Sequence, residues 1–325
     1  MVEPYRHPAT QPPASPAKQA EAGPGRSLWG DAAAKLRRDR VAMICLAVIA
    51  VYALVGLGAF VYDLLAGYGF LGLQPFAQMT DYRSSNQGPS WSHWLGTDWA
   101  GRDVLFKTVL GVKVSLTVGL MSNLIAVPLG MLLGALAGFY GRRTDAVITW
   151  LYSTLSSIPG IILLIALKFA FQELSVWGLD LRGITGVYLA LAVVSWIGTC
   201  RLVRAETLKL RELDYVLAAR AGGRGGLGIL IHHIFPNVFH LGIISFSLGF
   251  VGAISAEVIL SYLGLGVEVG QTSWGTMINS ARMDLVAGRW WELTSAVTAM
   301  FILVLALNLF GDRLRDALDP RLRNV

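Results

Sequence analysis

Charge is scarce in this chain. Of its 325 residues only 15% are Asp, Glu, Lys or Arg, where ordinary soluble domains carry about 25%. With 54% hydrophobic residues, that shortage argues against a globule surrounded by water. Cysteine is nearly missing. Cys45 and Cys200 are the whole complement, both toward the inner ends of apolar runs, and read as free thiols and not as a disulfide framework. No G-x-x-x-x-G-K-[ST] occurs, so the chain lacks a P-loop to cradle nucleotide phosphates. Gly223, Gly225, Gly226 and Gly228 satisfy G-x-G-x-x-G, but they follow no strand, and the dinucleotide reading is rejected. The adjacent His232 and His233 do not share a helix face and have no carboxylate or cysteine at ligand spacing, so no metal is expected. No Ser/His/Asp set or paired carboxylates stand out, which argues against an enzyme.

What is abundant is long apolar sequence. A bilayer crossing needs about 20 such residues, and six stretches qualify: 41–62, 114–140, 146–171, 185–200, 238–262 and 293–310. Lysine and arginine set the orientation. With the N-terminus inside, seven fall before the first span, two after the second, six after the fourth and four at the C-terminus, against eight on the outer side. The reading is therefore N-in and C-in, and the net charge of +6 reflects topology, with no nucleic-acid partner required. The proline-bearing stretch 1–40 reads as a disordered cytoplasmic tail. Residues 41–62 form an uncleaved first transmembrane helix, 63–111 an extracytoplasmic segment, 112–311 the membrane core, and 312–325 a cytoplasmic tail.

Local patterns sharpen this. Residues 81–91, rich in Ser, Asn, Gly and Pro, read as loop. A helix capped by Thr97 or Asp98 is expected to enter the second span. Gly130, Gly134 and Gly138 leave one bare helical stripe for close packing. Ser153, Thr154, Ser156 and Ser157 precede Pro159-Gly160. Proline frees a carbonyl that the hydroxyls can satisfy, or the polar bend lines a water-filled passage; both readings stand. Lys168 is expected to snorkel to the outer interface. Glu257 lies about five residues from the outer end of its span, suited either to an outer gate or cavity or to an interhelical hydrogen bond.

The most distinctive segment is 214–237, DYVLAARAGGRGGLGILIHHIFPN, polar and glycine-rich between two spans. Tyr215 to Ala221 favour a short helix, and Gly222-Gly223 supplies the left-handed residue that ends it. Ala218, Ala219 and Ala221 present only methyl groups, which lets a partner's groove approach the backbone. Arg220 offers a planar donor. Residues 229–235 return to the bilayer, with Pro236 suited to a first helical turn.

This segment resembles the coupling loop of peptide-type ABC-importer permeases, E-A-A-R-A-x-G followed by H-I-x-P-N. The match falls on Ala218, Ala219, Arg220, Ala221, Gly223, His233, Ile234, Pro236 and Asn237. Similar stretches run in family order from about residue 90: LGTDWAGRDVL at 95–105, GALAGFYG at 134–141, AEVILSYLGLG at 256–266, SWGTM at 273–277 and NLFGDRLRDALDPRLR at 308–323. The set is similar to the C-type subunit of dipeptide and oligopeptide importers. Leu217 departs from it, standing where the family often carries glutamate.

The resemblance implies an all-α membrane protein of six transmembrane helices with the type I ABC importer permease fold, its core being the 112–311 permease domain. It implies a second homologous permease, two cytoplasmic ATPases that bind the ATP, and an extracytoplasmic solute-binding protein, in a bacterial inner membrane. No cofactor is implied for this chain. Coupling to the ATPases would rest on Tyr215, Leu217, Ala218, Ala219, Arg220, Ala221, Gly223, Pro236 and Asn237. Glu257, Ser157 and Pro159 are the gate or cavity candidates. Short peptides are the implied cargo; nickel or another small solute is the alternative, and a secondary transporter without an ATPase a remote one.

Overall fold

The computed structural model describes residues 28–68, 73, 78–172, 174–176, 178–267 and 271–318. Five helices are long and apolar enough to cross a bilayer. They are α2 (Arg40–Gly67), α3 (Val104–Tyr140), α6 (Ile184–Leu210), the continuous run of α8 (Gly226–Ile229) into α9 (Phe235–Tyr262), and α11 (Trp291–Leu318). A sixth crossing is a pair, α4 (Arg142–Ser156) and α5 (Gly160–Phe171), bent by 90° between them. The expected single span over 146–171 is therefore corrected to a broken one. The cause is Pro159, which lacks an N–H and stands as the N-cap of α5, while Ser157 Oγ donates back to the Thr154 carbonyl at 2.7 Å.

The helices begin and end where side chains satisfy their free termini. Asp39 caps α2, accepting from the amides of Val41 and Ala42. Asp103, not Thr97 or Asp98, caps α3, accepting from Phe106 N at 3.1 Å. Thr97 and Asp98 are instead buried in the loop ahead of it. Gly141, at φ 61°, closes α3. Within it the bare stripe works as expected, because α3 lies along α6 with no room for side chains. A Cβ at Gly130 would sit 2.6 Å from Trp196 O, and one at Gly134 2.5 Å from Cys200 O. One at Gly138 would sit 2.8 Å from Arg204 O.

Two further expectations are corrected, those for the 1–40 tail and for Lys168, and two segments gain detail. Residues 28–38 of the supposed disordered tail form α1 (Leu28–Arg38), because Ala32 buries against Ile244 of α9 and Leu318 of α11; residues 1–27 lie outside the described residues. The tail assigned to 312–325 continues as helix to Leu318, and 319–325 lie outside the described residues. The segment 63–111 is helical at both ends, in α2 to Gly67 and α3 from Val104; between them, 81–91 is loop apart from a 3-10 turn at Tyr82–Ser84. Lys168 does not snorkel. It is buried, and its ammonium donates to the carbonyls of Leu181, Arg182 and Gly183, which close over it after the short strands β1 (Ser175–Val176) and β2 (Leu179–Asp180).

An unforeseen helix, α10 (Trp274–Val286), covers the outer end of α9 and α11, begun by a capping box between Ser273 and Thr276. Trp274 is fully buried and donates from Nε1 to Thr108 O at 3.1 Å, over Gly111. Trp291 Nε1 likewise donates to Thr97 O at 3.0 Å. The opposite end of the bundle carries Arg142, Arg143, Arg204, Lys209, Arg211, Arg220, Arg224, Arg313 and Arg315, and the excess of basic residues assigns that end to the cytoplasm.

Candidate functional site

At the cytoplasmic end, α7 (Asp214–Ala221) bridges α6 and α8. Its eight residues bury one side chain, Val216, which enters an apolar cluster with Phe139, Val203, Ile229 and Ile234. The rest of the helix stands out: Asp214, Tyr215, Leu217, Ala218, Arg220 and Ala221 are exposed, and Ala219 is half-buried. A single peg and a methyl-surfaced outer face leave α7 available to a partner.

The end of α7 is the Schellman arrangement anticipated from the glycine pair. Gly223 takes φ 80° and donates to Arg220 O at 3.0 Å, while Arg224 N donates to Ala219 O at 3.1 Å. It is Gly223, not Gly222, that holds the left-handed position, since Gly222 lies at φ −72°. A Cβ at Gly223 would meet nothing within 4 Å, so the requirement there is conformational alone.

Beyond Gly225 the chain re-enters a helix through a π-turn, Leu230–Ile234, in which Phe235 N reaches back to Leu230 O. The following Pro236 cannot donate to the preceding turn, and Asn237 supplies an alternative donor: its Nδ2 reaches His233 O at 2.6 Å. The same amide lies 3.3 Å from Tyr215 Oη, and the Tyr215 and His233 rings stand 6.0 Å apart. Tyr215, His233 and Asn237 thus meet across 22 residues of sequence and fasten α7 to the start of α9. Arg220 turns toward the bundle, its guanidinium 5.7 Å over the Phe139 ring. Leu217, Ala218 and Ala221 make no such internal contact and face outward.

The other candidates lie elsewhere. Ser157 and Pro159 are exposed at the break between α4 and α5. There Arg201 of α6, which sequence reasoning passed over, donates from Nη2 to Ser156 Oγ at 2.8 Å and stacks 4.9 Å over Tyr152. The apolar run 185–200 stops one residue before Arg201, so it reads as an ordinary basic residue past the end of a span. Glu257 is fully buried near the outer end of α9. Its Oε1 accepts from Ser261 Oγ at 2.6 Å, one turn on in the same helix, and the Ser273 side chain at the start of α10 also interacts with the carboxyl.

Sequence reasoning also missed a charged cluster at the outer end. Lys107 of α3 lies between Asp98 at 2.9 Å and Glu292 of α11 at 2.5 Å, all three buried. Arg102 joins Asp98 at 2.8 Å. Burial alone would raise the Asp98 carboxyl, but Lys107, the Arg102 amide and the Arg102 guanidinium together hold it below the usual carboxylate range. Among the described residues no group of three or more His, Cys, Asp and Glu side chains is placed to hold a metal ion.

Residues 130–324 match the family described as binding-protein-dependent transport system inner membrane component. Residues 27–89 match the N-terminal TM domain of oligopeptide transport permease C. The chain is 38% identical to the glutathione transport system permease protein GsiD of Pectobacterium atrosepticum, over 75% of this chain and 78% of that one. It is 33% identical to the dipeptide transport system permease protein DppC of Alkalihalophilus pseudofirmus, over 92% and 91%. To the oligopeptide transport system permease protein OppC of Bacillus subtilis it is 31% identical, over 91% of each.

Proposed function

This chain belongs to the family of binding-protein-dependent transport system inner membrane components, and from that premise we propose how it works within an ATP-driven importer of short peptides. It is a multi-pass permease that forms half of a translocation pathway of the type I kind. A second, homologous permease forms the other half. Two cytoplasmic ATPases bind and hydrolyse the ATP, an extracytoplasmic binding protein delivers the solute, and the assembly sits in a bacterial inner membrane. The peptide assignment draws on relatives whose names specify dipeptide, oligopeptide and glutathione transport.

The observation that carries the mechanism is the construction of α7. A short rod with one buried peg, a glycine stop and an exposed methyl surface is joined at both ends to spans. When the ATPases close, a groove holding Leu217, Ala218 and Ala221 would carry α7 along, and the Tyr215–Asn237–His233 contact would pass that movement to α9. Elements that move as rigid bodies about glycine-rich joints convert such a displacement into alternating access. Ser157, Pro159 and Arg201 place a polar break where the pathway needs one, and Glu257 serves the outer side.

Reconstitution tests this reading. The chain, with its homologous permease, the ATPases and the binding protein in vesicles, should accumulate di- and tripeptides only when ATP is supplied. Accumulation by this chain alone, or import with the ATPases omitted, would refute it. Replacing glycylpeptides with nickel salts in the same assay separates the two cargo readings.

A further inference from the structure

Beside α7 the cytoplasmic end of the bundle carries an open polar cavity of about 420 Å3, whose wall includes Arg211, Arg220, Arg224, Glu212, Phe139 and Tyr140. The three arginines come from three segments: the C-cap of α6, α7 itself, and the turn leading into α8. Each is positioned by something other than an excess of carboxylate. Arg211 donates to Gly138 O at 3.0 Å and to Glu212 at 2.9 Å. Arg220 rests on the Phe139 ring, and Arg224 lies 3.1 Å from His233 Nε2.

Glu212 is the one acid in this wall and it pairs with Arg211. Among the described residues, neither Arg220 nor Arg224 forms an ion pair. Two guanidinium groups with no carboxylate partner therefore face one cavity, and an anion entering it would meet both. No side chain fills the wall at Gly226, where a Cβ would come within 3.3 Å of both Phe139 and Tyr140. Tyr140 ends α3 and Arg211 follows α6, so the cavity opens at the cytoplasmic end of the bundle, beyond the apolar run of α6 that stops at residue 200.

We propose that this cavity is a phosphate site, filled by the phosphodiester of an anionic phospholipid or by free phosphate. The planar fork of arginine matches phosphate oxygens in pairs, and basic pockets between spans on the cytoplasmic side take phosphate-bearing headgroups. A phosphate held here ties α6, α7 and the start of α8 to one another, which makes the stiffness of the α7 joint depend on what fills the cavity. Lipid or phosphate binding needs no ATPase, so the proposal stands or falls separately from the transport reading.

The test uses the full chain in mild detergent. One arm counts phosphatidylglycerol retained per chain by native mass spectrometry, with phosphatidylcholine as the neutral-headgroup comparison. The other titrates inorganic phosphate by calorimetry. Arg224→Gln is the main variant because Arg224 is exposed; Arg220→Gln is the second, and Arg315→Gln, exposed and outside the cavity wall, is the control. Lipid as the source predicts one more phosphatidylglycerol on wild type and Arg315→Gln than on Arg224→Gln. Free phosphate as the source predicts binding weakened at least fivefold in Arg224→Gln and Arg220→Gln, with lipid counts equal. If neither probe distinguishes the variants from wild type, the proposal is wrong. It is equally overturned if Arg224→Gln keeps both forms of binding but loses an added ATPase, since the cluster would then be a protein-docking surface.

Discussion

At its outer end the bundle buries three charges together, with Lys107 between Asp98 and Glu292, one tryptophan N–H donating to the Thr108 carbonyl of α3 and another to the loop carbonyl of Thr97. At its cytoplasmic end α7 inserts Val216 alone and leaves most of its surface exposed. Contacts at the outer end join loop, α3, α10 and α11, so no one element can shift without breaking several. The inner loop is held by that one peg, the glycine stop at Gly223 and the Tyr215–Asn237–His233 contact. On the proposed reading, the outer end holds shape and the inner end receives motion.

The largest expected effect comes from unpairing the outer charges. Lys107→Met leaves Asp98 and Glu292 buried without their cation, which should cost about 3–5 kcal/mol of stability. Thermal unfolding in detergent should show a large drop; an unchanged midpoint would mean that the outer end is not held this way. Next comes the α3–α6 seam between the two ends. Gly134→Ala places a methyl group 2.5 Å from Cys200 O and should cost roughly 1–3 kcal/mol through overpacking, read from the same melt.

At the inner end the penalty is smaller and the functional loss larger. Gly223→Val forces a side-chain-bearing residue into the left-handed region at about 1–2 kcal/mol, with no steric clash. The protein should still assemble, while peptide uptake falls well below the ATP hydrolysed. Uptake in proportion to hydrolysis would contradict the assignment of α7. The smallest expected effect is that of pH on the outer end. A carboxylate whose folded-state pKa is depressed contributes stability above its unfolded value, about 3.9, and loses it as pH falls through the folded value. The melting difference between wild type and Asp98→Asn should therefore stay level between about pH 5 and 8 and shrink only below about pH 4. A difference that narrows already between pH 7 and pH 5 would show that Asp98 is not held by Lys107 and Arg102.

The same contrast governs what could be seen in the sequence. The spans were legible because hydrocarbon demands uninterrupted apolar residues, and α7 was legible because glycine and proline announce backbone requirements locally. The outer cluster was not. Lys107 and Glu292 stand 185 residues apart, and nothing near either one announces the other. Lys168 read as an interfacial anchor because carbonyls arriving from 181–183 leave no mark in the sequence around it. Helix α10 was hidden for another reason: it is too short and too polar to register as a span, although Trp274, Met277 and Ala281 are all buried. Pro159 signalled a bend, but only packing decides that the bend reaches 90°.

The central claim is that α7 lies in the cytoplasm and is gripped by a separate ATPase. The direct measurement is labelling of Ala218→Cys by a membrane-impermeant maleimide, with background kept low because Cys45 and Cys200 are buried. The account predicts rapid labelling in inside-out vesicles, none in right-side-out vesicles, and protection when the ATPases are bound. Labelling from the outer side, or a rate that the ATPases leave unchanged, would contradict it.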